Sequence, residues 1–157
     1  MPVELLAPAR DLACGEIAVN AGADAVYMGP PRFGARRNAA NSVSDIGHMI
    51  EYAHRYRSRV YVALNTVLLE RELDEAIALL RQLHEVGVDA AIIQDLGLLE
   101  ADLPPIPLIA STQTHAHSLE KVRFLEAAGF SRVILARELS IPEMKHIRAH
   151  TTVELEA

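Results

Sequence analysis

Short apolar runs alternate with amphipathic stretches from one end of the chain to the other, and most of these runs stop at a polar residue. Tyr61-Val-Ala-Leu64 stops at Asn65, and Ala90-Ala-Ile-Ile93 stops at Gln94-Asp95. Leu108-Ile-Ala110 stops at Ser111-Thr112-Gln113, and Val133-Ile-Leu-Ala136 stops at Arg137-Glu138. A short continuous apolar run reads as a strand buried on both faces, as a parallel sheet requires. The pattern predicts strands over residues 4–7, 25–28, 60–64, 90–93, 107–110, 132–136 and 152–155. Between them, apolar residues recur at helical spacing: Ile46, Met49, Ile50 and Ala53 form one stripe, and Leu73, Ala76, Ile77, Leu80 and Leu83 another. Asp11, Ser42 or Ser44, Ser118 and Ser140 are the expected N-caps. Pro142 sits in the first turn after Ser140, and Glu143 stands at capping-box spacing. A short helical piece is expected over 96–101, before Pro104-Pro105.

One phrase recurs three times: Ala21-Gly-Ala-Asp-Ala-Val26, Val86-Gly-Val-Asp-Ala-Ala91 and Ala128-Gly-Phe-Ser-Arg-Val133. Each ends a helix on a glycine suited to the left-handed region, turns on a short polar residue and enters a strand. This is the αβ loop of a repeated βα unit. Seven strands and about six helices predict an α/β fold, an incomplete TIM-like (β/α) barrel with its final unit missing. A doubly wound open sheet is the alternative, but no Gly-x-Gly-x-x-Gly turn follows strand one. A whole barrel typically takes about 250 residues, and this chain has 157. An unclosed barrel exposes two strand edges, through which copies could pair into a homo-oligomer.

In such barrels the chemistry lies at the C-terminal ends of the strands, which is where the polar stops fall. Asn65, Gln94 and Ser111 are candidates for a hydrogen-bonding ring there. Gln113 shares the parity of Ser111. Arg137 and Glu138 could orient one another as an ion pair, although only one of two adjacent strand residues can enter the barrel mouth. The long loop at residues 29–41 presents Arg32, Arg36, Arg37 and Asn38. Their guanidinium groups suit a carboxylate or phosphate.

The remaining composition mostly excludes. A formal net charge of −6 is the wrong sign for a domain that grips nucleic acid over its whole surface. Arg55, Arg57 and Arg59 read as a solvated helix end. The single cysteine, Cys14, rules out an internal disulfide and reads as a small half-buried helix residue in a reducing, cytoplasmic setting. No apolar run reaches the ~18–20 residues of a membrane span, and Met1 leads straight into a strand with no signal peptide. His115 and His117 stand at a metal-sharing spacing, but no third ligand is evident. HExxH, GxSxG, P-loop and CxxC motifs are absent.

These segments carry a resemblance. Glu4-Leu-Leu-Ala-Pro-Ala9, Gly22-Ala-Asp-Ala-Val-Tyr27, Phe33-Gly-Ala-Arg36, Ala110-Ser-Thr-Gln-Thr114 and Gly129-Phe-Ser-Arg-Val-Ile-Leu-Ala-Arg-Glu-Leu139 resemble the N-terminal half of the peptidase U32, or collagenase-like protease, family. Pro8-Ala-Arg-Asp11 and Arg36-Arg-Asn-Ala-Ala-Asn41 look most like its RNA base-hydroxylation branch. The resemblance implies that residues 1–157 are one N-terminal barrel region. It further implies a full-length protein that takes part in prephenate-dependent hydroxylation of a ribosomal RNA cytidine or a tRNA wobble uridine. Arg36 and Arg137 would then bind a small anion such as prephenate, while Asn65, Gln94, Ser111 and Gln113 orient it by hydrogen bonds, with Glu138 beside Arg137. Characterised members ligate an iron–sulfur cluster through cysteines that follow strand seven in a His-Gly-x-x-Cys-type segment. Cys14 does not correspond to those ligands, so the chain alone is expected to hold no cofactor and to be inactive. A collagenase-like peptidase and a non-catalytic barrel that self-associates are the alternatives.

Overall fold

The computed structural model describes residues 3–35 and 40–157. Seven strands form one parallel sheet in sequence order: β1 (Leu6–Pro8), β2 (Ala25–Met28), β3 (Arg59–Leu64), β4 (Ala90–Ile93), β5 (Leu108–Ala110), β6 (Arg132–Ile134) and β7 (Glu154–Glu156). The crossovers carry α1 (Leu12–Asn20), α2 (Val43–Arg55), α3 (Leu73–Glu85), α4 (Leu119–Ala127) and α5 (Ile141–Ala149). Where a helix was expected over 96–101, the chain makes a 3-10 turn, Leu96–Glu100, whose first N–H groups are held by Asp95. The sheet is curled. Glu4, just before β1, reaches Arg132 on β6 across 128 positions of sequence.

The helix ends follow the local chemistry of the sequence. The Asp11 side chain accepts from Cys14 N at 2.9 Å, and Ser118 accepts from Lys121 N at 3.2 Å. Ser42 rather than Ser44 caps α2, in a reciprocal box with Asp45. The expected α2 stripe, Ile46, Met49, Ile50 and Ala53, is wholly buried.

The recurring phrase has a physical explanation. Gly22, Gly87 and Gly129 have φ of +98°, +91° and +99°, the left-handed turn that ends each helix. The polar residue two positions later ties the new strand to the one before it. Asp24 accepts from Leu5 N at 2.8 Å, and Asp89 accepts from Val60 N at 2.7 Å. Ser131 instead donates to Leu108 O at 2.8 Å. The fourth such corner, after α2, uses Arg57 at φ +61°, with Ser58 donating to Ala23 O.

Strand alternation divides the core. The larger cluster, including Val26, Met28, Val60, Val62, Leu64, Ala91, Ile93 and Val133, packs under the helices. The smaller one lines the concave side: Ala25, Tyr61, Ala63, Ala90, Ile92 and Ile109, with Leu6, Tyr27 and Ile134. Several lumen residues are alanine, as convergence of curled strands requires.

Candidate functional site

The polar stops after β3, β4 and β5 fall side by side. Leu64 pairs with Ile93, and Ile93 with Ala110, so the next residues, Asn65, Gln94 and Ser111, stand in one row at the strand ends. All three have the parity of Ala63, Ile92 and Ile109, which line the lumen. The pairing of Ile134 with Glu156 carries the row on to β7.

These side chains differ in what is left to offer a ligand. Asn65 Oδ1 accepts from Ala35 N at 3.0 Å, anchoring the loop after β2. Ser111 is 3 % exposed, and its Oγ accepts from Gln113 N at 3.2 Å, capping the 3-10 turn Thr112–Thr114. That turn ends the strand alternation, so Gln113 lies exposed beside the row rather than in it. Gln94 is half-buried, and among the described residues its amide makes no hydrogen bond. Arg137 and Glu138 lie in the turn beyond β6, which ends at Ile134 rather than at the expected residue 136. Both are exposed, and they make no ion pair with one another or with another described residue.

The loop after β2 is described through Ala35. Arg36, Arg37 and Asn38 lie outside the described residues. Arg32 is not a free cation: it pairs with Glu75 and lies over the Phe33 ring, 4.9 Å from its centroid. Phe33 O accepts from Thr66 Oγ1 at 3.1 Å. A cleft of about 420 Å³ opens there, between Pro30, Phe33 and Gly34 on one side and Thr66, Val67 and Glu72 on the other.

Deeper in the lumen sits a charged cluster that strand patterning did not single out. Arg132 is 8 % exposed. Its Nε and Nη2 donate to Glu154 at 3.0 and 2.8 Å, and Nη1 donates to Glu4. Arg59, expected on a solvated helix end, is instead the first residue of β3; it stays exposed and pairs with Glu4 at 3.3 Å. Tyr61 donates to both Glu4 oxygens at 3.1 Å, and its ring centroid lies 5.4 Å from the Arg132 guanidinium carbon. Burial works to raise the Glu4 pKa, but hydrogen bonds and charge from Arg132 and Tyr61 outweigh it and hold the carboxyl below its ordinary range. Glu156 goes the other way. Burial pushes it up, against the pull of Arg132 3.8 Å away. One of its oxygens, Oε2, is buried with no hydrogen-bond partner among the described residues. The signal for Arg132 was in the repeat: it occupies the place held by Ala25 and Ala90, where two small lumen residues announce that a third residue must also point inward.

The residues present do not fit an iron–sulfur cluster. The sequence holds one cysteine, on α1, and among the described residues no three His, Cys, Asp or Glu side chains converge on a metal position. His117 Nδ1 is spent on His115 O at 2.7 Å. No helix is long and apolar enough to cross a membrane among the described residues.

The family model of peptidase family U32 matches residues 10–157. The chain is 48% identical over 154 residues to the 23S rRNA 5-hydroxycytidine C2501 synthase of Escherichia coli (strain K12), covering 98% of this chain and 24% of that protein. It is 33% identical over 158 residues to tRNA hydroxylation protein P1 of Bacillus subtilis (strain 168), covering 98% of this chain and 37% of that protein. The chain therefore spans 24% to 37% of the length of these relatives. Among solved structures, the U32 peptidase Mk0906 aligns over 98% of this chain and 67% of its own, with a TM-score of 0.77 at 14% identity. A phosphoenolpyruvate phosphomutase from Streptomyces platensis aligns over 99% of this chain and 68% of its own with a TM-score of 0.65, also at 14% identity. Both likenesses speak to the barrel fold.

Proposed function

The chain belongs to peptidase family U32, and from that premise we propose that it works in the hydroxylation of bases in RNA, with ribosomal RNA the first candidate and tRNA the second. The supporting observation is the 48% identity, spread over 98% of the chain, to an rRNA 5-hydroxycytidine synthase. The strand-end row supports a ligand at the lumen mouth. Gln94 has an unspent amide, and Asn65 and Ser111 flank it with the orientation fixed by their own hydrogen bonds. In this reading a small anion such as prephenate is held by that row, with Gln113, Arg36 and Arg137 contributing from the loops and Glu138 beside Arg137. In this reading redox chemistry belongs to groups outside these 157 residues, and an iron–sulfur cluster is the group we infer. The chain alone is then inactive. The net charge of −6 leaves RNA contact to local patches or to other parts of a longer protein. A peptidase needs an activated nucleophile or a metal-bound water, and among the described residues no histidine hydrogen-bonds a serine, threonine or cysteine.

A segment exchange tests the reading. The matching segment of the Escherichia coli synthase is replaced by this chain in cells lacking the native enzyme, and 5-hydroxycytidine in 23S rRNA is read by nucleoside mass spectrometry. The modification should return. A chimera that folds and accumulates but leaves the rRNA unmodified overturns the ribosomal reading. Hydroxylated tRNA in its place moves the activity to the second candidate.

A further inference from the structure

The row at the mouth contains one group whose chemistry conflicts with an anion. Asn65, Gln94 and Ser111 are neutral, but the same row arrives at Glu156 on β7. An ionised carboxylate there would repel an incoming carboxylate; a protonated one would donate a hydrogen bond to it. The surrounding charges decide which form is present. The charges acting on Glu156 come from Arg132 on β6, 3.8 Å away, and from Glu4 in the segment before β1; Glu154 lies two residues back on its own strand, and Arg59 and Tyr61 from β3 reach Glu4. Three carboxyls thus share two guanidinium groups. Arg132 spends its close contacts on Glu4 and Glu154, leaving Glu156 at 3.8 Å, beyond hydrogen-bond reach, with Oε2 buried and unpartnered among the described residues. Of the three, Glu156 is the carboxyl with the least to stabilise its charge.

We propose that Glu156 is the proton-taking member of the lumen row, so that a small carboxylate ligand enters the mouth together with one proton, which resides on Glu156. The proton comes from solvent, and no bond other than O–H is made or broken. Arg132 is a positioning residue in this arrangement: it saturates Glu4 and Glu154 and leaves Glu156 as the odd acid. The inference rests on the proposed binding of an anion at the mouth and adds its coupling to pH.

The test is calorimetric titration of the chain with prephenate between pH 6.5 and 8.5, a range in which the ligand's own carboxylates stay ionised. Each titration is repeated in two buffers of different ionisation enthalpy. The parent chain should lose affinity by up to roughly tenfold per pH unit above the Glu156 pKa, with uptake approaching one proton per ligand. E156Q keeps a donor but cannot ionise, and should bind with a flat pH profile and no proton uptake. Equal pH slopes and equal proton uptake in both chains overturn the role of Glu156 while leaving the anion site standing. Absence of prephenate binding in both chains at every pH overturns the anion site and this inference together.

Discussion

Replacing Arg132 by methionine removes the one cation that the lumen cluster is built around while keeping most of the side-chain volume. Breaking a buried ion pair by deleting one partner costs about 3–5 kcal/mol, because the remaining charge stays buried and uncompensated. That range must be divided between unequal partners here. The Glu154 side chain is 58% exposed and rehydrates, so its share is that of a surface pair, about 0–1 kcal/mol. The Glu4 side chain is 24% exposed and also loses the guanidinium that offsets its burial. Tyr61 and Arg59 still reach Glu4 and moderate the loss. The expected destabilisation at pH 7 is therefore about 2–3 kcal/mol, or a fall in Tm of about 4–12 °C at the rate usual for a domain of this size. Urea denaturation followed by circular dichroism reads it directly. The loss should shrink at pH 5, where carboxyls without Arg132 hold protons more readily. It should also shrink in an E4Q background, since the two residues share one interaction. A loss below about 0.5 kcal/mol, or an equal loss with and without E4Q, would refute the view that the cluster is a buried electrostatic strut.

Three further outcomes follow from the same geometry. Alanine at Gly22 or Gly129 meets no atom within 4 Å, so its cost should be the left-handed backbone penalty alone, about 1–2 kcal/mol by urea denaturation. Arg57→Gly, at the corner with φ +61°, should instead leave stability unchanged or raise it by up to about 1 kcal/mol. Glu126 accepts hydrogen bonds from Thr151 and Thr152, with the Thr152 and Val153 backbone adding to them, and its pKa is held at about 2 against an ordinary 4.5. A depressed carboxyl contributes stability that is full above its unfolded value and is lost as pH falls toward its folded value. Glu126→Gln should therefore flatten the stability-against-pH curve between about pH 4.5 and 2 and lower its neutral plateau; an unchanged acid limb would contradict the contact.

Much of this fold was legible because its signals are local. A glycine that must take positive φ, a short polar residue two places on and an apolar run are visible within six residues, and Gly22, Gly87 and Gly129 each mark a true corner. The strand ends at Asn65, Gln94 and Ser111 were legible for the same reason. Expectation failed where local rules gave way to loops or to curvature. Gln113 left the row because Ser111 starts a 3-10 turn instead of continuing the strand. Arg137 and Glu138 fell outside β6 because pairing stops at Ile134, and Leu135 bridges to Ala116 instead. The lumen cluster was not legible because it joins residues 4 and 132, which meet only when the sheet curls. Even so, Arg132 standing where the other repeats carry alanine, and the Glu-Leu-Glu alternation of β7, were clues within reach.

The most direct test concerns Gln94, whose amide makes no hydrogen bond among the described residues and so is free for a ligand. In cells whose sole source of 23S rRNA 5-hydroxycytidine is the chimera carrying this chain, Gln94→Ala should lower the modified fraction by roughly three- to tenfold, the worth of one hydrogen bond. Protein level and melting temperature should stay unchanged, and Gln82→Ala, on the exposed side of α3, should leave the modification intact. Full modification with Gln94→Ala would contradict a ligand site at the strand-end row.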